Sequence, residues 1–419
     1  MINKTALLGA AFLMATSAIG PGFLTQTATF TGSLLASFGF VILVSIILDI
    51  GAQLNIWRII GISGKRGTEV ANMVLPNLGY FVAFLIALGG FFFNIGNIAG
   101  AGLGLNIVLG ISVENAAVIS AIIAIGIFIF KKAGELMDKF IVLAGFVMIV
   151  LTAYVAFASK PPIGEALFRT FIPTQIDVIS IVTLVGGTVG GYIVFSGAHR
   201  LIDAKLYGKE NLNYINKAAV SGIIITGIMR VILFLAVLGV VSSGFILDKE
   251  NPAGSVFHHA LGDLGLKIFG VVLFLAAISS VIGAAYTSVS FIRSFHPWIE
   301  KYNRFVVIFF IIVSTLVFYI LGKSPASILI IVGTINGWIL PVTLFIMIIA
   351  AHKKSVVGDY KHPKMDECFW TFDRGFDVLF ICTFYDKVNV KCLAYILVEV
   401  KRCFCALNKK FHLKLMLWF

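Results

Sequence analysis

Residues 18–32 read AIGPGFLTQTATFTG inside what is otherwise one long apolar run. Proline has no amide hydrogen to give a helix interior and clashes with the preceding turn, and glycine weakens a helix. Gly20, Pro21 and Gly22 together therefore predict a helix broken at membrane depth. A break there frees amides and carbonyls that hydrocarbon cannot satisfy. It is tolerated only where protein covers it or where it lines a cavity.

The surrounding chain is a membrane chain. Of its 419 residues 59% are hydrophobic and 12% charged, with a mean hydropathy of +1.01. A soluble protein of this length exposes about twice that share of charge. Many runs reach the ~20 apolar residues that span a bilayer, and none show the short alternating strands of a barrel. The reading is an all-α polytopic membrane protein. No cleavable signal is expected, since only Lys4 precedes the first apolar run and that run continues into further spans. The net charge of +12 belongs to loops and predicts no nucleic-acid partner.

Ten spans follow from the apolar runs: about 6–32, 37–60, 80–108, 112–130, 138–158, 178–198, 216–243, 265–290, 304–322 and 326–351. With the N-terminus in the cytoplasm, eighteen Lys and Arg up to Lys364 fall on the cytoplasmic side. Five, Lys160, Arg169, Lys249, Lys267 and Lys323, fall on the other. This bias satisfies the positive-inside rule and puts both termini in the cytoplasm of a plasma (inner) membrane. The transporter-like domain is then 1–364. The segment 365–419 holds all five cysteines and interleaves charges with Phe and Cys. It reads either as a cytoplasmic tail or as the product of a changed reading frame, and Cys403 and Cys405 match no firm metal pattern.

Span six carries a second glycine cluster, TLVGGTVGGYIVFSGAH, with Gly186, Gly187, Gly190 and Gly191. Spans one and six are equivalent if ten helices divide as five plus five. Interruptions in corresponding positions of two halves point to a transporter's binding site. Close helix packing is the plainer account of either cluster alone.

At these residues the chain resembles the NRAMP family of proton-coupled divalent-metal transporters. LGAAFLMATSAIGPGF lies over the family's first-helix pattern, IAGAGLGLN at 98–106 over the end of its third helix, and GGTVGGY at 186–192 over its sixth-helix motif. The resemblance spans about residues 5–364. It implies a LeuT-type 5+5 inverted repeat with helices one and six broken. It also implies where metal ligands would stand, and there this chain departs. The family's first-motif Asp and Asn fall on Gly20 and Phe23, its sixth-helix Met on Gly190 and its His on Tyr192. The acidic pair of its proton route falls on Asn94 and Asn97. A shifted register over TATFTGS also supplies no carboxylate. Divalent ions want carboxylate, carbonyl, imidazole or sulfur ligands.

Two charges lie within spans. Arg230 stands near the centre of span seven and Asp49 near the centre of span two. An intramembrane charge is costly and marks function unless the two form a structural pair or Arg230 snorkels. The functional reading is an Arg230 that neutralises an anionic solute at Gly20, Pro21, Gly22, Phe23, Gly190, Gly191 and Tyr192. Half-helix N-termini at such breaks favour carboxylates. The expected solute is a small organic anion or zwitterion, such as an amino acid or a lactam acid, carried by a secondary transporter. The alternative is a divalent metal at a non-standard site. The coupling ion is H+ or Na+, with Asp49, Asn94, Asn97, Ser279 and Ser280 as candidates on its route. Hydroxyls such as those of Ser279 and Ser280 otherwise bond their own helix. Gln53 and Asn336 are further polar residues in the spans and fit interhelical hydrogen bonds equally well. A membrane enzyme wants a clustered His, Cys or acid set. His199, His258 and His259 sit at helix ends or in a loop, so no enzyme, cofactor or resident metal is expected. A passive pore would be insensitive to ion gradients.

Overall fold

The computed structural model describes the backbone of residues 18–363, and side chains there outside 131–144 and 294. The start of span one, the cysteines and the segment from 364 onward lie outside the described residues. The helices through Val357 form one compact unit, and Gly358–Phe419 are a second.

Every regular element among the described residues is helical. In chain order they are α1 (Pro21–Leu34), α2 (Phe38–Ser63), α3 (Gly67–Val74), α4 (Leu78–Leu109), α5 (Val113–Ile129), α6 (Lys131–Ala158), α7 (Ile163–Phe171) and α8 (Val178–Val189). Then come α9 (Ile193–Asp203), α10 (Leu212–Ser242), α11 (Pro252–Ile292), α12 (Pro297–Lys301), α13 (Asn303–Leu321), α14 (Pro325–Ala351) and α15 (Lys354–Val357). Each apolar run read from the sequence holds a helix. Among the described residues seven stretches are long and apolar enough to cross a bilayer by length and composition, eight if the bent pair Gly145–Ala158 and Ile163–Phe171 is one span. One of them, Pro21–Ser63, joins α1 and α2 over 43 residues. That is about 64 Å of helix, twice the hydrocarbon thickness, so it is two elements. Leu35, with φ 51° and ψ −135°, marks the interruption between them.

Three features were not in the sequence reading. The helix holding the eighth span starts at Pro252 rather than near 265, with Asn251 Oδ1 accepting from Gly254 N at 3.0 Å to cap it. Gly262 (φ 63°, ψ −156°) interrupts this long helix, so His258 and His259 lie on its first segment rather than in a loop. Two short helices also occupy connections. In α3, Arg66 N donates to Glu69 Oε2 at 2.8 Å, the return half of a capping box. The other, α7, meets the end of α6 at 105° and exposes Ile163, Leu167, Phe168 and Phe171 on one side.

Small residues set the packing, as expected where lipid supplies no hydrophobic drive between helices. α4 lies against α11, where a methyl on Gly104 would come within 2.6 Å of Phe274 N. α8 lies against α14 through Gly186, Gly333 and Gly337, whose missing side chains let the backbones touch. The stretch Val178–Asp203 is 89% buried against 28% for α13. The second broken helix is therefore central and α13 peripheral.

Candidate binding site between two helix breaks

Both glycine clusters are breaks. At the first, Gly20 is extended (φ −109°, ψ −170°) and Pro21 opens α1, where the amide it lacks is not needed. The Pro21 ring packs where a side chain on Gly100 of α4 would go, which seats the break on that helix. At the second, α8 ends when Gly190 turns extended (φ −69°, ψ 162°). Gly191 takes φ +55°, a left-handed conformation that favours glycine. α9 then begins behind Tyr192. Asn336 of α14 backs this corner: its Nδ2 donates to Gly89 O at 3.2 Å and its Oδ1 fills the space beside Gly191.

A small cavity lies between the breaks. Gly20, Gly22 and Phe23 contribute from the first, Gly187 and Tyr192 from the second, Phe93 and Asn97 from α4, and Leu329 and Val332 from α14. The free volume is about 10 Å³, room for about one water-sized guest. Phe93 and Tyr192 meet edge to face, ring centroids 5.6 Å apart, and form an aromatic wall. Polar groups are few. Asn97 Nδ2 is buried with no partner, and a methyl on Gly20 would lie 3.3 Å from Ser280 Oγ and 3.9 Å from Asn97 Oδ1. Gln26 donates through Nε2 to Leu329 O at 3.0 Å, and its buried Oε1 has no partner. Among the described residues no three His, Cys, Asp or Glu side chains cluster as a metal site would require.

The sequence-derived candidates divide into four groups. Gly20, Gly22, Phe23, Tyr192 and Asn97 line the cavity, and Ser280 adjoins it. Pro21, Gly190 and Gly191 shape the breaks from behind. Asn94 and Ser279 point elsewhere: Asn94 Nδ2 donates to Ser314 Oγ at 3.1 Å and Ser279 Oγ to Ala276 O at 3.0 Å. Arg230 and Asp49 are not in the lining. Arg230 stacks its guanidinium 4.4 Å from the centre of the Phe23 ring. Its Nη1 donates to Thr188 Oγ1 at 3.0 Å, and the Asp49 carboxyl stands beside the same threonine. No ion pair within 4 Å joins Asp49 to Arg230; Thr188 bridges them. Thr188, Gln26 and Gly187 were not singled out in the sequence. Thr188 stands inside the quoted glycine cluster and Gln26 inside the polar run TQTAT, so a polar residue flanking a break was the available signal.

The half-helix α9 is tied to its own neighbours. Trp57 Nε1 donates to Val194 O at 2.8 Å, Gly67 N donates to His199 Nε2 at 3.2 Å, and Arg66 pairs with Asp203 at 3.0 Å.

Two discontinuous helices with a central cavity between their breaks, in a polytopic bundle, define a membrane transporter of LeuT type. The chain belongs to the natural resistance-associated macrophage protein-like (Nramp) family, whose model matches residues 11–371. It is 63% identical over 357 residues to the uncharacterized membrane protein YcsG of Bacillus subtilis, covering 85% of this chain and 88% of that protein. It is 24% identical over 401 residues to the divalent metal cation transporter MntH of Vibrio campbellii, covering 86% and 87%. Among solved structures it resembles a manganese transporter of Eremococcus coleocola, with TM-score 0.67, 13% identity and coverage of 97% and 93%.

Proposed function

We propose that this protein is a secondary transporter whose solute is a small organic anion or zwitterion, coupled to H+ or Na+. The observation that carries this reading is the donor set. Around the two breaks the chain offers backbone, the carboxamides of Asn97 and Gln26, the Ser280 hydroxyl and aromatic faces, with a guanidinium behind Phe23. That set lacks the carboxylate, imidazole and sulfur ligands that divalent transition-metal ions favour, leaving only carbonyl and amide oxygens, and the arginine repels a cation. It suits a carboxylate, which exposed amides and a cation both favour. The cavity as it stands fits one water, so an organic solute requires the half-helices to part before it enters.

The second reading is a divalent metal carried at a site of carbonyl and amide oxygens. It is favoured by the MntH and manganese-transporter relatives and by an ion-sized cavity. Relatives at 13% and 24% identity support the fold and family more than the ligand set, and the ligand positions are where this chain differs.

Calorimetry on the purified protein distinguishes the two readings, with Mn²⁺ and a panel of amino acids and small carboxylates as titrants. A carboxylate that binds the wild type and loses at least tenfold in affinity, about 1.4 kcal/mol, in Arg230→Ala is the expected result. Micromolar Mn²⁺ binding to the wild type, unaffected by Arg230→Ala, would instead establish the metal reading. Gly20→Asp restores a carboxylate at the first break and is expected to gain Mn²⁺ binding while losing the organic solute.

A further inference from the structure

Three side chains from three helices meet behind Phe23: Asp49 of α2, Thr188 in the last turn of α8, and Arg230 of α10. They are 1%, 1% and 2% exposed. Asp49 Oδ1, Arg230 Nε and Arg230 Nη2 have no hydrogen-bond partner among the described residues. Such orphaned charges in a protein interior call for a ligand or a change of protonation.

The threonine hydroxyl decides which. It owns one hydrogen and two acceptor positions. Three neighbours claim it: Arg230 Nη1 as a donor at 3.0 Å, Leu184 O as an acceptor at 2.8 Å, and the Asp49 carboxyl. If Asp49 is ionised, its carboxylate and Leu184 O compete for a single hydrogen. If Asp49 is protonated, its O–H and Arg230 Nη1–H fill the two acceptor positions and the hydroxyl donates to Leu184 O. All three contacts are then met at once. That state leaves Arg230 a cation without a counter-ion, one aromatic ring away from the cavity.

We propose that Asp49 is the proton carrier of this transporter, and that Arg230 exchanges its counter-ion between the Asp49 carboxylate and the carboxylate of the solute. The inference rests on the anionic reading above and adds the coupling step to it. In the resting form the Asp49 carboxylate is the counter-ion of Arg230; the geometry described, with Thr188 Oγ1 accepting from Arg230 Nη1 and donating to Leu184 O, is that of the protonated form that receives the solute. A solute carboxylate displaces Phe23 from the guanidinium and takes Arg230 Nε and Nη2. Asp49, having lost its cation, accepts a proton from water on the side to which the cavity is open. No bond other than the new O–H forms. On the far side the solute leaves, Asp49 returns its proton to water, and its carboxylate again serves as counter-ion to Arg230. One proton moves with each solute, so a monocarboxylate crosses without net charge and a zwitterion carries one positive charge. The other charged groups on helices packed against α2 include His199 of α9, Glu165 and Arg169 of α7, Glu69 of α3 and Lys217 of α10.

The test uses the full chain in liposomes and, in detergent, calorimetry repeated in buffers of different ionisation enthalpy. The wild type is expected to take up about one proton per carboxylate bound above the titration of Asp49. Its uptake should be driven by an inward proton gradient without sodium. Asp49→Asn should bind the carboxylate with no proton uptake, keep solute exchange across the membrane, and lose gradient-driven accumulation at least tenfold. Accumulation or proton uptake that survives in Asp49→Asn overturns the coupling step and leaves the solute class standing. Absence of any carboxylate binding by the wild type overturns the solute class and the coupling step with it. Should Asp49→Asn fail to fold, Thr188→Val carries the test. It should move the pH midpoint of uptake by on the order of one unit, and Thr188→Ser should restore it. An unmoved midpoint overturns the proposal.

Discussion

Gly191 and Gly283 separate what a glycine does at a break from what it does on a lipid-facing helix. Gly191 sits at φ +55°, and a side chain there would run into Asn336 Oδ1. The left-handed conformation alone costs a non-glycine residue about 1–2 kcal/mol. Displacing Asn336 from its bond to Gly89 O adds to that. Gly191→Ala is therefore expected to lower the midpoint of thermal unfolding in detergent by several degrees. Gly283 lies exposed on α11 with nothing within 4 Å of an added methyl. There the same substitution should be neutral or stabilise by up to about 1 kcal/mol. Equal losses at both positions would mean that the second break is an ordinary helix kink. The same residue scale shows where sequence reading stops. Arg230 was visible as a charge in a span, but α10 is apolar on nearly every side, so no periodicity says which face carries it. Its place behind Phe23, and Thr188 as the bridge to Asp49, follow from helix rotation that only the packed structure fixes.

At the scale of elements, the two breaks were legible because proline and glycine act through local backbone chemistry that needs no tertiary context. The start of α11 was not, because a polar stretch with two histidines and Asp263 looks like a loop until Asn251 and Pro252 are recognised as a helix start. The amphipathic α7 was missed for a different reason: nine residues are too few to register as a span. Phe157 at the end of α6 is exposed as well, and Glu165 and Arg169 lie on the other side of α7 from its apolar residues. Ser37 and Thr174 hydrogen-bond at 2.7 Å, and a methyl on Gly39 would meet Ala166 O at 3.4 Å, which moors this region to the start of α2. Such a helix belongs in the headgroup region with its apolar side down. A spin label at position 167 should be more accessible to oxygen than to a polar nickel reagent, with the order reversed at position 165. Polar accessibility at both would place α7 in water.

For the whole molecule, composition and apolar runs carried the class, and the paired breaks carried the family. The family match runs over residues 11–371, while among the described residues no three His, Cys, Asp or Glu side chains cluster as a metal site would require. The fold is kept by glycine-rich packing faces such as Gly186–Gly333 and Gly104–Gly270, which are indifferent to what the cavity binds. A transporter can therefore exchange its ligand set and keep its architecture. Orientation is the molecular-scale expectation still open to direct measurement. The bias of basic residues predicts that a green fluorescent protein joined at the C-terminus is fluorescent in a bacterial host. An alkaline phosphatase joined after Lys249 should be active. The opposite pattern would invert the topology.

The two halves of the second broken helix keep different company. α8 is laid glycine to glycine against α14, while α9 is held through Trp57, Gly67 and Arg66 to α2 and the connection that follows it. Between them only Gly190, Gly191 and Tyr192 carry the chain. In mechanical terms this is a hinge pin with a separate flange bolted to each side. Torque applied to either flange is delivered to the pin, and the cavity wall at Tyr192 is its nearest load.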